Sequence, residues 1–186
     1  SGNIKLEFMN LNLNELVQQV NGEFAERFES RNLDLICILQ PEPLLICADS
    51  RRIWRVLENL YVNVCKYAMP GTRVYVDAIR KDGKIQFSIK NISENALNCE
   101  ADELTERFIR GDVSRSTEGS GLGLSIAKNL TVLQHGTFDI YLDGDLFKVT
   151  ITFDEVVKEK KPETSGYTAK PEMPEEDLEK PSSDTI

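Results

Sequence analysis

Two spacings of apolar residues divide the chain into predicted helices and strands. A recurrence every three or four residues predicts helices over residues 12–30 and 49–68, and a third from about residue 122 to residue 135. A further short helix is predicted near residues 103–108. Alternation of apolar with polar residues predicts strands over residues 4–8, 33–39, 44–47, 74–78, 85–89, 137–142 and 146–153.

These elements together indicate an α+β fold. Asp-Gly pairs at residues 82–83 and 143–144 join strands by tight turns, so the joined strands run antiparallel. Strands grouped on one side of the helices predict a two-layer α/β sandwich with a mixed, mostly antiparallel sheet. We expect this domain to occupy residues 1–153. Residues 154–186 are rich in Pro, Glu and Lys, and we expect them to form an acidic, disordered tail.

Composition narrows the classes of partner and of site. The net charge of −9 argues against nucleic acid as a partner, because a phosphate backbone requires a basic surface. No run of about 18 apolar residues is present, so no segment is predicted to span a membrane. One His and no Cys-x-x-Cys pair argue against a zinc site. Three of the four cysteines lie within apolar runs, so buried, reduced thiols are expected. The four are Cys37, Cys47, Cys65 and Cys99.

A run of alternating glycines precedes the third predicted helix. Gly119, Gly121 and Gly123 permit close approach of a ligand to the backbone, and the start of a helix leaves N–H groups unpaired. Those donors and the positive end of the helix dipole suit a phosphate group. A glycine-rich turn before a core helix is the alternative interpretation. The helix is predicted to carry an apolar face formed by Leu122, Leu124, Ile126, Leu130 and Leu133.

The second predicted helix carries a polar face opposite its apolar one. Asn59, Asn63 and Lys66 are spaced by four and three residues, so they share that face. Asparagine is unfavourable inside a helix, so two on one face need an explanation. An amide oxygen can bind Mg²⁺ and a lysine can bind phosphate, which makes this face a candidate ligand site; a solvated surface is the alternative. The predicted buried stripe of this helix comprises Ile53, Leu57, Leu60 and Val64.

Three short motifs resemble, in order and spacing, those of sensor histidine kinases. Residues 59–67, Asn-Leu-Tyr-Val-Asn-Val-Cys-Lys-Tyr, resemble the N box of that family, and residues 119–124 resemble its second glycine box. Residues 104–111 are similar to the F box, with Arg110 in the expected place. The resemblance covers residues 3–153. It implies the Bergerat ATP-binding sandwich, with ATP and Mg²⁺ as cofactors.

The resemblance implies a role for each residue of the polar helical face. Asn63 would bind Mg²⁺, and Asn59 would contact the phosphates nearby. Lys66 would pair with phosphate oxygens, and Tyr67 would pack along the nucleotide. Asn59 stands where ATP-hydrolysing relatives carry a water-activating glutamate, which fits a domain that presents the γ-phosphate to another nucleophile. The implied catalytic residues are Asn59, Lys66 and Arg110.

The resemblance also assigns the loop before the third helix. Residues 110–120 would form a lid over ATP, in which Arg110 and Arg115 would contact phosphate or the partner domain. The glycines of the second box would line a turn that binds the phosphates. The residues of that turn would be Gly119, Ser120, Gly121, Leu122, Gly123 and Leu124.

The sequence departs from the family pattern at the first glycine box. Asn91 stands where the family has an adenine-reading aspartate, and both glycines of that box are missing. An Asn oxygen can still accept a hydrogen bond from the adenine amino group, without the added strength of a carboxylate. The departure leaves open a second interpretation, a degenerate module that binds nucleotide weakly or not at all and serves partner contact.

The expected activity is phosphoryl transfer from ATP to a histidine on a dimerisation domain that is absent from this chain. His135 follows the third predicted helix, and we expect it to be a helix-end residue rather than the acceptor. We therefore expect a fragment that is monomeric and unable to autophosphorylate, from a homodimeric parent with a response regulator as indirect partner. The parent is expected to be a membrane-anchored sensor with this domain in the cytoplasm. An anti-sigma-type serine kinase is the alternative within the enzyme class.

Overall fold

Ten helices and strands make up the part of the chain that the structure describes. The structure is a computed structural model, which describes residues 5–97 and 122–157. The helix predicted near residues 103–108 lies outside the described residues. In chain order the elements are β1 (Phe8–Asn12), α1 (Leu13–Ser30), β2 (Asp34–Leu39), β3 (Leu45–Asp49), α2 (Ser50–Tyr67), β4 (Arg73–Lys81), β5 (Lys84–Ile92), α3 (Gly123–Leu133), β6 (Thr137–Asp143) and β7 (Leu146–Asp154).

Five of these strands form one mixed sheet in the order β2-β4-β5-β7-β6. β2 and β4 are parallel, and the other neighbouring pairs of this sheet are antiparallel. β1 and β3 pair antiparallel in a separate two-stranded sheet. The arrangement confirms the predicted α+β sandwich with a mixed, mostly antiparallel sheet.

One face of the large sheet packs against the helices. Side chains alternate along β4 and β5, and the inward ones are almost fully buried. They share one hydrophobic core with apolar residues of all three described helices, and burial of such surface is the main force that drives folding. The buried strand residues are Val74, Val76, Ala78, Ile85, Phe87 and Ile89.

The first strand begins later than its alternating pattern predicts. β1 starts at Phe8 and pairs with β3 along its whole length as far as Asn12. Pairing with a strand far along the chain sets these bounds, and the local alternation before Phe8 carries no information about that partner. β1 runs directly into α1, where the Asn12 side chain accepts the Asn14 N–H at 3.1 Å and caps the helix.

The described cysteines are free thiols, and one of them is exposed. Cys37 and Cys65 are half-buried, whereas Cys47 is exposed on β3. The prediction of burial is wrong for Cys47, because alternate side chains of a strand point to opposite sides and Cys47 lies on the outward one. Cys99 lies outside the described residues.

The chain continues to contact the fold after β7. The Glu155 N–H donates to a carbonyl of the β4–β5 turn at 3.0 Å, and the Val156 N–H donates to a carbonyl of β3 at 2.9 Å. The Glu155 carboxylate also pairs with Arg80, with 2.5 Å between Oε1 and Nε. The backbone hydrogen bonding of the domain therefore extends two residues past Asp154. Residues 158–186 of the predicted tail lie outside the described residues.

The end of α3 is a tight turn that has room only for glycine at its second position. His135 adopts a φ of 67°, and the N–H groups of His135 and Gly136 donate to the carbonyls of Val132 and Thr131, both at 3.0 Å. This pair of bonds is a Schellman motif. A Cβ added at Gly136 would lie 2.6 Å from a ring carbon of Phe153 and 2.9 Å from the Thr131 methyl carbon. Both neighbours are buried, so neither can move aside without disturbing the core.

Replacing Gly136 by Ala is expected to lower the free energy of unfolding by about 1–3 kcal/mol, because the new methyl group overpacks the core. Urea unfolding measures this change as a lower midpoint at an unchanged slope.

Gly22→Ala provides the matched control. Gly22 lies on the exposed side of α1, and a Cβ added there meets nothing within 4 Å. The same substitution is therefore expected to raise the free energy of unfolding by about 0.5–1 kcal/mol through helix propensity. Equal effects at the two glycines would contradict steric overpacking at Gly136.

Candidate functional site

α2 separates a buried apolar stripe from the polar face predicted to bind a ligand. Asn59 and Asn63 are half-buried and Lys66 is exposed, so the face they share remains accessible. The helix is held by its apolar side and leaves its amide side free. The predicted stripe is confirmed, with each member at most 2% exposed: Ile53, Leu57, Leu60 and Val64.

Tyr61 holds α2 against α1. Its buried ring stacks on Phe28 with the ring centroids 5.7 Å apart, and its centroid lies 5.4 Å from that of Phe24. The Tyr61 hydroxyl donates to Asn21 Oδ1, and burial raises the pKa of Tyr61, so the phenol keeps its proton. This aromatic contact sets the rotation of α2 and therefore the direction of its polar face.

Asp49 anchors the first turn of α2. One carboxylate oxygen accepts the N–H groups of Arg51 and Arg52 at 3.0 and 3.1 Å, and the other accepts the Glu7 N–H at 2.8 Å. These bonds, the one from Glu7 above all, lower the pKa of the Asp49 carboxyl below its ordinary value. The carboxylate therefore joins the segment before β1 to the N-terminus of α2.

Gln134 attaches the end of α3 to the start of α2. Its buried Oε1 accepts the Asp49 N–H at 2.9 Å, and its Nε2 donates to the Leu130 carbonyl at 2.9 Å. The C-terminal end of α3 therefore lies beside the N-terminal end of α2. The two helices run antiparallel, which carries the N-terminus of α3 toward the middle of α2.

The N-terminus of α3 faces Asn59. A Cβ added at Gly123 would lie 3.7 Å from Asn59 Oδ1, which is an ordinary van der Waals contact. Asn59 Nδ2 donates to the Arg55 carbonyl at 2.9 Å, which leaves Oδ1 on the side of Gly123. At the capping position, the Leu122 side chain makes no bond to the first turn of α3. An amide oxygen and a helix N-terminus that Leu122 does not cap therefore share one end of the candidate site.

The apolar face of α3 is narrower than predicted. Leu122 is 40% exposed and Leu133 is 43% exposed, so the prediction is wrong at both ends. Each lies two residues from a buried position, and residues two apart point to different sides of a helix. The positions that are buried follow the helical period instead: Leu124, Ser125, Ala127 and Thr131.

The other end of α2 is tied to the end of β5. The Met69 N–H donates to the Ile92 carbonyl and the Glu94 N–H donates to the Tyr67 carbonyl, both at 2.8 Å. The last turn of α2, which carries Lys66 and Tyr67, therefore lies beside the C-terminal end of β5.

Asn91 places an unpaired acceptor near this end of the sheet. It follows Phe87 and Ile89 on the side of β5 that faces the helices, and it is 3% exposed. Its Oδ1 has no hydrogen-bond partner among the described residues. Burying an oxygen without a donor is costly, so this position fits a ligand that supplies an N–H group.

The structure brings together the predicted site residues on α2, β5 and the start of α3. Asn59 lies against the N-terminus of α3, and α2 continues for about 12 Å to Tyr67 beside the end of β5. Leu122, Gly123 and Leu124 form the entry to α3. The remaining predicted residues lie outside the described part of the chain: Arg110, Arg115, Gly119, Ser120 and Gly121.

Sequence patterns miss two of the contacts that position this site. Asp49 precedes a helical pattern and is recognisable as a candidate cap, but nothing local indicates its bond to Glu7. Gln134 carries no signal at all, because its partner Asp49 is 85 residues away in the chain.

Three further findings apply to residues 5–97 and 122–157. No three His, Cys, Asp or Glu side chains in these ranges are placed to hold a metal ion. None of the helices there has the length and apolar character needed to cross a membrane. His135 is exposed just after α3, as expected of a helix-end residue, and its ring stacks on Phe8 with 5.7 Å between centroids.

Most of the chain matches a known family of ATPases and kinases. The profile described as "Histidine kinase-, DNA gyrase B-, and HSP90-like ATPase" matches residues 48–179. The chain belongs to this family. The resemblance to sensor histidine kinases is thereby confirmed, and the chain is an ATP-binding catalytic domain of the histidine kinase type.

One curated relative and two solved structures show which histidine kinases the chain is similar to. It is 30% identical over 123 residues to the signal transduction histidine-protein kinase BaeS of Escherichia coli K12, covering 65% of this chain and 26% of that protein. The catalytic domain of histidine kinase ThkA, in a nucleotide-free form, matches with a TM-score of 0.70 at 25% identity, covering 81% of this chain and 97% of that one. ThkA in complex with the response regulator protein TrrA matches with a TM-score of 0.66 at 25% identity, covering 81% and 42%. The match therefore spans nearly all of the solved ThkA catalytic domain and about a quarter of the length of BaeS.

Protonation of Asp49 is expected to loosen the N-terminus of α2. Because the pKa of this carboxyl is lowered in the folded state, its stabilising effect is complete above the ordinary Asp pKa of about 4. The effect is lost as the pH falls through the lower, folded-state value. Asp49→Asn, which offers one oxygen to three N–H groups, is expected to lower the free energy of unfolding at pH 7 by about 1–2 kcal/mol. Urea unfolding at pH 7 and at successively lower pH measures both effects.

Asp139→Asn is the control, since Asp139 is exposed on β6 and the same charge is removed there. Asp49→Asn should also reduce the dependence of stability on pH below about pH 4. An equal loss of stability in both variants would contradict the anchoring role of Asp49. So would an Asp49→Asn variant whose stability depends on pH below about pH 4 as that of the wild type does.

Proposed function

We propose that this domain binds Mg·ATP between α2, the N-terminus of α3 and the end of β5, and presents the γ-phosphate to a histidine on a dimerisation domain outside this chain. The observation that carries the proposal is the approach of Asn59 Oδ1 to Gly123, which joins the amide face of α2 to the start of the glycine-led helix. Membership of a family of ATPases and kinases supports phosphoryl chemistry at such a site.

The amide face suits a magnesium-bound triphosphate. Asn59 Nδ2 is occupied by the Arg55 carbonyl, so its Oδ1 is the atom left for a ligand. Asn63 lies one helical turn further along the same half-buried face. Mg²⁺ takes hard oxygen ligands and is commonly held by one or two protein oxygens together with phosphate oxygens. Asn63 would hold this ion, Asn59 the neighbouring phosphates and Lys66 a phosphate oxygen, and the bound ion would neutralise phosphate charge.

The start of α3 would contribute backbone donors to the same phosphates. Gly123 has no side chain to cover the first turn, and Leu122 does not cap it. The N–H groups of that turn and the helix dipole therefore favour an anion. Gly119, Ser120 and Gly121 would complete the phosphate turn, with Arg110 at the transferring phosphate.

The chain would act by positioning rather than by covalent chemistry. Asn59 has an amide where a water-activating carboxylate would be needed for hydrolysis, and an amide cannot take a proton from water at neutral pH. Bound ATP would therefore be preserved for the acceptor histidine.

The base of the nucleotide would lie toward Asn91. The unpaired Oδ1 of Asn91 is suited to accept a hydrogen bond from the adenine amino group. Tyr67, beside the end of β5, would pack along the nucleotide. The same unpaired oxygen argues against a degenerate module, and the relatives named as histidine kinases do not favour a serine kinase.

The partners follow from the same proposal. The dimerisation domain would supply the acceptor histidine and make the parent a homodimer, so the domain alone would be monomeric and unable to autophosphorylate. A response regulator would receive the phosphoryl group afterwards, and ThkA has been solved with such a protein. The parent would be a membrane-anchored sensor with this domain in the cytoplasm.

Asn63→Ala is expected to remove the part of nucleotide binding that depends on Mg²⁺. Wild-type protein should be stabilised by ATP more strongly with Mg²⁺ than with EDTA, and saturation at 100 times Kd corresponds to about 2.7 kcal/mol. In Asn63→Ala the affinity with Mg²⁺ should fall at least about tenfold, to the value in EDTA, since about 1.4 kcal/mol is tenfold in affinity. Thermal-shift titration and calorimetry measure the two affinities.

Asn129→Ala is the control, because Asn129 is an exposed helical asparagine on α3 that lies outside the proposed site. It should bind Mg·ATP as the wild type does. Retention of the full Mg²⁺ effect in Asn63→Ala would disprove the metal role of Asn63.

Transfer to histidine is expected to give a chemically distinct product. The chain, Mg²⁺, radiolabelled ATP and the parent's dimerisation domain should yield a label on that domain that is stable in alkali and lost in acid, as a phosphoramidate is. An acid-stable label would indicate a hydroxyl acceptor instead. Replacing the acceptor histidine of the added domain should abolish the label while leaving ATP binding by this chain intact.

A further inference from the structure

The Asn91 amide is buried, and no hydrogen bond to a described residue fixes which way it faces. Its Oδ1 has no partner, and its side chain makes no hydrogen bond to another described residue. Asn14 is a contrasting buried amide, whose Oδ1 also has no partner in the part of the chain that the structure describes. Its Nδ2 donates to the carbonyls of Gln40 and Glu42 at 2.9 and 3.0 Å, and these two bonds hold the Asn14 amide in one orientation. Within residues 5–97 and 122–157, no comparable bond holds Asn91.

Near the end of β5, Asn91 is also the inward polar side chain whose oxygen is not used by another described residue. It is therefore available to a ligand. The preceding inward residues, Phe87 and Ile89, are apolar. The next one, Ser93, uses its hydroxyl to donate to the Asn95 carbonyl at 2.7 Å. A base inserted between β5 and the helices would therefore meet one polar side chain among the described residues of this strand face. The amide of that side chain could turn to suit the base.

An amide and a carboxylate select differently between purines. A carboxylate only accepts hydrogen bonds, so it favours the 6-amino group of adenine and repels the 6-oxo group of guanine or hypoxanthine. An amide carries an acceptor and a donor of nearly equal size, and rotation of its terminal torsion by 180° exchanges them. It can accept from a 6-amino group or donate to a 6-oxo group within the same space.

We propose that Asn91 gives this domain relaxed base selectivity, so that its nucleotide site accepts 6-oxo purine triphosphates as well as ATP. This inference rests on the proposed function, because it requires that the nucleotide bind with its base toward Asn91. Asn91 is then the residue that determines base specificity, through a direct contact with position 6 of the purine.

The test compares ATP with inosine triphosphate, which differs from ATP in its 6-oxo group and the accompanying proton on N1, and which adds no 2-amino group. Calorimetry with Mg²⁺ gives the two Kd values for the wild type, for Asn91→Asp and for Asn129→Asp. The wild type should bind inosine triphosphate within about tenfold of ATP. Asn91→Asp should raise the ratio of the two Kd values at least about tenfold, because a site built for one hydrogen-bonding group strongly rejects the wrong one. The exposed Asn129→Asp should leave the ratio unchanged.

Each outcome decides the inference. A wild-type preference for ATP above about tenfold would overturn it and leave the proposed ATP site standing. An unchanged ratio in a folded Asn91→Asp variant would overturn it as well. If neither nucleotide binds the folded wild type, both the proposed function and this inference fail. The wild-type comparison stands by itself should the buried carboxylate prevent Asn91→Asp from folding.

Discussion

The buried carboxylate of Asp49 is the interaction on which the geometry of the site depends. It accepts three backbone N–H groups from two separate segments, while its own N–H donates to Gln134. A buried charge without such partners would be strongly destabilising, so the bonds form together with the fold. They hold the segment before β1, the start of α2 and the end of α3 at one point.

α2 and α3 extend similar distances from this anchor and meet at the site. Asn59 lies about 15 Å along α2 from Asp49, and Gly123 lies about 16 Å back along α3 from Gln134, so antiparallel packing brings them together. The side chains presented there are mostly neutral amides. In a chain of net charge −9, neutral oxygens and helix N–H groups can meet a polyanion without the repulsion that carboxylates on the same face would add. Lys66 adds the positive charge expected of a phosphate site.

Much of the architecture was predictable because it depends on local spacing. The bounds of α1, α2 and α3 agree with the apolar period to within a few residues, and the Asp82-Gly83 turn joins β4 to β5 as its positive φ angles require. The predictions fail where burial depends on a remote neighbour. Leu122 and Cys47 are apolar in type but face away from the core, and the extent of β1 follows its pairing with β3.

The motifs on α2 and before α3 identified the candidate chemistry from residue type and spacing, since side chains three or four apart on a helix share a face whatever surrounds them. Only the folded chain showed that Asn59 of the first motif meets Gly123 of the second, because the two residues are more than sixty positions apart. The bond from Asp49 to Gln134 joins the same two helices at their other ends. The availability of Asn91 to a ligand was likewise decided by packing. The sequence shows its residue type, but whether its oxygen has a donor depends on which neighbours the sheet and helices bring near. Among the described residues they bring no donor.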